Sequence, residues 1–183
     1  LKDAEVEKAA EVGSGARCIN SGQSCIAAKR FIVVRDHANE FTERLVKHMD
    51  EFVVGAPMKE ETQIGPIARS DLRDTLDGQV NASVEQGAVV QLGGQPMDSE
   101  GFFYEPTVLT NVREGMPAFD EETFGPVASI IEANDDEHAI RIANSTRYGL
   151  GASLWSTNID RAEHLTREIQ AGAVFVNELV KSD

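Results

Sequence analysis

Phe31-Ile32-Val33-Val34 is the stretch that most constrains the fold. Four consecutive apolar, largely β-branched residues are too few for a buried helix and predict a strand covered on both faces, as in a parallel sheet. A helix is predicted next, because Phe41, Leu45, Met49 and Phe52 recur at intervals of four and three while Glu43, Arg44, Lys47 and Asp50 fall on the opposite face. Gly55-Ala56-Pro57 ends it.

The same alternation runs through the chain. Asp3 to about Asn20 is helix-compatible, with Asp3 as a candidate cap. Met58 to Arg69 lacks a period and predicts an ordered loop, and Leu72, Leu76, Val80 and Val84 mark a third helix closed by Gly87. Strands are expected at Val89 to Leu92, Thr107 to Leu109, Val127 to Ile131, Ala152 to Trp155 and Ala173 to Val176. Two more helices are expected, one opened by a capping box at Asn134 and Glu137 and carrying Ala139, Ile140, Ile142 and Ala143, the other carrying Ile159, Ala162, Leu165 and Ile169. Strand and helix in alternation predict an α/β domain built on an open, mostly parallel sheet with helices on both faces.

The 183 residues suffice for one core and predict a single domain over 1–183. A balance of 17 basic against 31 acidic side chains gives −14, which excludes nucleic acid and anionic membrane surfaces as expected partners, since both require a positive footprint. No apolar stretch is long enough for a membrane span. Cys18 and Cys25 would stand two helical turns apart, beyond the reach of a disulfide, so both are expected reduced and the protein cytoplasmic. No metal site is expected.

Cys25 is the chemically suggestive residue. It falls where the first helix meets the Phe31 strand. A free thiol titrates near about 8.5, so a nucleophilic cysteine needs a base or a depressed pKa. None of His37, His48, His138 and His164 forms a legible pair with it. By residue type alone it is a packed thiol or a nucleophile, and Cys18 is a core thiol.

The run Asn20-Ser21-Gly22-Gln23-Ser24-Cys25 resembles the active-site motif of the aldehyde dehydrogenase superfamily, in which an Asn, a Gly-Gln pair and one spacer precede a Cys that attacks the aldehyde carbon. Glu121-Glu122-Thr123-Phe124-Gly125-Pro126-Val127 resembles the superfamily's Glu-Glu-x-Phe-Gly-Pro-Val signature, with Thr123 where an aliphatic residue is usual. That likeness implies that Glu122 accepts hydrogen bonds from the nicotinamide ribose hydroxyls and that Phe124 packs beside the nicotinamide. An acceptor-only carboxylate suits two hydroxyl donors. Gly172-Ala173-Val174-Phe175-Val176-Asn177 resembles the strand that runs into the substrate-lining loop. Within the superfamily the chain looks most like succinate-semialdehyde dehydrogenases, which implies that Ser182 helps hold the substrate carboxylate, although Ile19 stands where some members place an Arg.

The resemblance implies the catalytic domain of an NAD(P)-dependent enzyme that oxidises an aldehyde, succinic semialdehyde being the best fit, through a thiohemiacetal and thioester on Cys25. Most of the NAD or NADP site, the general base and the oligomer-building segment would lie outside these residues, so 1–183 is expected to be truncated from a larger homo-oligomeric enzyme and inactive alone. Two rivals remain: a cofactor-independent thiol acyltransferase or esterase, and a non-catalytic assembly domain. Neither accounts for Glu122 and Phe124.

Overall fold

The computed structural model describes residues 1–181. A four-stranded sheet in the order β1-β4-β3-β2 forms the centre, from β1 (Arg30–Val34), β2 (Val89–Leu92), β3 (Thr107–Thr110) and β4 (Val127–Ala133). β1 and β3 flank β4 in parallel and β2 closes the edge antiparallel to β3. A second, two-stranded parallel sheet pairs β5 (Gly151–Leu154) with β6 (Ala173–Val176). The expected open α/β sheet is therefore present, with its last two strands split off as a small sheet.

Side-chain alternation along β4 builds a core on each face. Val127, Ile131 and Ala133 join Leu76 and Val80 of α3 (Ser70–Glu85) and Ala139 and Ile142 of α5 (Asp136–Asn144). Ala128 and Ile130 join Ala9 and Ala10 of α1 (Val6–Cys18) and Phe41, Leu45 and Met49 of α2 (Arg35–Asp50). Helices thus cover both faces, with the short α4 (Pro117–Asp120) on the first side and α6 (Ile159–Thr166) against the small sheet.

Three expectations need correction. The Phe31 strand is parallel and packs against both cores, through Ile32 on one face and Phe31 and Val33 on the other, but it lies at the sheet edge and its first four residues are only half-buried; the deeply buried strand is β4. Asp3 does not cap α1, whose N-cap is Glu5 without a side-chain bond. Its carboxylate instead accepts from Ser156 Oγ at 2.7 Å and Asn158 N at 3.0 Å. The cap of α5 is Asp135, which accepts from His138 N, rather than Asn134.

Candidate active site

Cys25 occupies the segment between α1 and β1. After α1 the chain makes a tight 3-10 turn, Ile19–Gly22, in which Asn20, Ser21 and Gly22 all have positive φ (50°, 57° and 73°). Three successive left-handed residues reverse the chain, a conformation costly for Asn and Ser and free for Gly. The Ala27 N–H then donates to the Ser24 carbonyl at 3.0 Å, closing a turn with Cys25 at its second position. Anchored behind by Ala28 N–H to Ala16 O at 3.1 Å, this turn holds the thiol exposed. Cys18 is buried in the core, and burial pushes its thiol up to about 12, as expected for an inert packing residue. Both cysteines are free.

The turn with Glu122 and Phe124 lies against this segment. Gly125 N–H donates to Gly22 O at 2.9 Å, and a Cβ on Gly22 would stand 2.0 Å from Gly125 O, so only glycine permits the approach. Lys29 Nζ donates to Glu121 O at 3.2 Å. The stretch that bears Cys25 is thereby tied to the Glu122 turn at both ends, through Gly22 and Lys29. From α3, Gln79 Nε2 reaches Glu121 Oε2 at 2.9 Å and Glu122 O at 3.2 Å. Gln23 and Ser21 fasten the opposite side: Gln23 receives Ala68 N–H and donates to Pro66 O, and Ser21 Oγ receives Gly65 N–H. The ordered loop of residues 58–69 supports the site in this way.

Glu122 is half-buried, and among the described residues its carboxylate has no hydrogen-bond partner. Phe124 is 37% exposed. A carboxylate with free acceptor oxygens beside an uncovered aromatic ring fits a ribose diol and a flat heteroaromatic ring. Among the described residues the N–H groups of Cys25 and Ile26 donate to no protein acceptor, which leaves two donors beside the sulfur. Lys29 is desolvated and its ammonium falls to about 8; Glu122 opposes that shift while Arg30, Arg17 and Arg147 add to it. The ammonium lies 4.3 Å from the centre of the Tyr148 ring.

The histidines all find partners elsewhere: His37 with Lys2 O, His48 with Glu7, His138 with Asn134 N and His164 with Glu168. Asn177, at the mouth of β6, is left-handed, and its side chain pairs both ways with the Ser156 backbone, so it joins β6 to the end of β5. Ser182 lies outside the described residues. Among the described residues there is no group of three or more metal-ligating side chains and no helix long and apolar enough to cross a membrane. Sequence reasoning missed Gln79 and also Arg17, whose Nη2 donates to Gly22 O. Neither carries a local signal, since one is a surface-type residue on a helix and the other reads as an ordinary basic last turn.

The profile of the aldehyde dehydrogenase family matches residues 1–183. A protein of Synechocystis named "Probable succinate-semialdehyde dehydrogenase" is 45% identical over 183 residues, all of this chain and 40% of that protein. The NAD(P)+ succinate semialdehyde dehydrogenase Sad of Escherichia coli is 44% identical over the same extent of each chain. Among solved structures, the succinic semialdehyde dehydrogenase of Streptococcus pyogenes with NADP+ superposes with a TM-score of 0.95 at 32% identity, again over the whole chain and 40% of the other. The chain spans about two-fifths of the length of these relatives.

Proposed function

The chain belongs to the aldehyde dehydrogenase family, and from that premise we propose that it is the nucleophile-bearing catalytic domain of an NAD(P)-dependent enzyme that oxidises an aldehyde, succinic semialdehyde by preference, to the carboxylate. One observation carries it: the exposed thiol of Cys25 sits on a turn tied through Gly22 to the segment of Glu122 and Phe124. The names of the relatives support the four-carbon substrate.

The Cys25 thiol gives up its proton to solvent, its thiolate adds to the aldehyde carbon, and the C=O electron pair becomes an oxyanion in a thiohemiacetal. The N–H groups of Cys25 and Ile26, unpartnered among the described residues and adjacent to the sulfur in the chain, are the donors that would stabilise that charge. Glu122 would hold the ribose hydroxyls and Phe124 would flank the ring of a bound nicotinamide dinucleotide. Such a cofactor supplies the acceptor for the hydride that leaves the thiohemiacetal carbon. Water then hydrolyses the thioester, releasing the carboxylate and regenerating the Cys25 thiol. The whole protein is proposed to be a cytoplasmic homo-oligomer.

Grafting these 183 residues in place of the matching segment of the Escherichia coli relative tests the proposal. The graft should form NAD(P)H from succinic semialdehyde, and Cys25→Ser in it should cut turnover by about a thousandfold or more. Equal turnover of the graft and its Cys25→Ser form rejects it. The chain alone should form no more NAD(P)H than its own Cys25→Ser variant.

A further inference from the structure

Arg17 is 1% exposed and lies in the last turn of α1, directly before the left-handed segment. Its Nη2 donates to Gly22 O at 2.7 Å. Nε and Nη1 are buried and, among the described residues, have no acceptor. Burial lowers the guanidinium to about 10, which leaves it charged at neutral pH. An enclosed cation without a carboxylate is costly, only partly relieved by the carbonyl end of the helix. A hydrocarbon of similar length would avoid that cost, so the single acceptor it does reach is informative. Gly22 O is the atom that also receives Gly125 N–H. Both lone pairs of this carbonyl are engaged, one by the guanidinium and one by the turn that carries Glu122.

We propose that Arg17 is a positioning residue: through the Gly22 carbonyl it fixes the turn of Glu122 and Phe124 against the loop that presents Cys25. A guanidinium suits the task because its planar fork keeps direction, while its charge strengthens the bond to a neutral carbonyl. Without it, the left-handed segment Asn20, Ser21 and Gly22 would lose the one charged hydrogen bond it makes among the described residues. The Gly22–Gly125 bond would then be held by the turn alone. The consequence for catalysis rests on the function proposed above, whereas the coupling itself needs neither aldehyde nor dinucleotide to be observed.

Amide hydrogen exchange of the chain tests it, with Gly125 compared against Val108 and Leu109 of the central sheet. In Arg17→Met, which fills the same space without charge, Gly125 should exchange about tenfold faster relative to those core amides, with the thermal midpoint unchanged or raised. In Arg17→Lys, which keeps the charge and one donor, Gly125 should lie between wild type and the Met variant. If Arg17→Met does not fold, faster relative exchange of Gly125 in Arg17→Lys still supports the coupling. Gly125 protection that changes only in step with Val108 and Leu109 in the folded variants overturns it. Loss of dehydrogenase function in the graft described above would leave this exchange result untouched, so the two failures are distinguishable.

Discussion

Thr123 sits between Glu122 and Phe124, 2% exposed, with its hydroxyl buried and unpartnered among the described residues. A lone buried hydroxyl forfeits its bonds to water and gains nothing in return. Thr123→Val keeps the shape and should raise stability by about 1 kcal/mol, read as a higher urea midpoint at unchanged slope; a lower midpoint would show that the hydroxyl has an acceptor. Lys29 offers a different test. Its ammonium is driven from 10.5 to about 8 by burial, so the folded chain binds fewer protons than the unfolded one between those values. Stability from this group therefore rises with pH across that window, and below it the full penalty of burying the charge is present. Between about pH 8 and about pH 10, wild type should gain stability relative to Lys29→Met, groups common to both cancelling in the difference. A flat difference would mean that the ammonium is fully hydrated.

At the level of elements, two glycine substitutions should move in opposite directions. Gly22→Ala forces a side chain into a left-handed backbone and against Gly125 O at 2.0 Å, and should cost at least about 1–2 kcal/mol. Gly78, exposed within α3 with nothing within 4 Å of its would-be Cβ, should on Gly78→Ala stabilise the chain by roughly 0.5–1 kcal/mol. Thermal midpoints of the two variants check both signs. Helices with one apolar stripe, such as α2, were legible because burial follows the 3.6-residue period. The edge position of β1 was not, since a run of apolar residues records contact with helices and not the number of neighbouring strands. The antiparallel turn of β2 and the short α4 likewise depend on packing at long range. At the site, Cys25, Glu122 and Phe124 stood in motifs, while Gln79 approaches the Glu122 turn only after α3 docks.

Taken as a whole, the molecule has two packed bodies. The central sheet carries two large cores, whereas β5, β6 and α6 enclose only Ile140, Leu154 and Ala162 with a rim of half-buried neighbours. Asp3 fastens the small body to the start of the chain: its carboxylate receives Ser156 Oγ and Asn158 N–H, its carbonyl receives Thr157 N–H at 3.3 Å, and Arg161 lies 3.6 Å from it. Burial alone would raise the Asp3 carboxyl, but the bonds from Ser156 and Asn158 outweigh it and hold it below its ordinary 3.8. A carboxyl depressed in the folded state contributes stability above that ordinary value and loses it as pH falls through the lower folded one. Asp3→Ala should therefore speed exchange of the Leu154 and Asn177 backbone, which meet across β5 and β6, and leave Ile130 and Ile131 of β4 protected. Wild type brought to acid should loosen in the same order. Equal acceleration in both sheets would mean that the small body does not open separately and that the Asp3 bonds act on the stability of the entire chain.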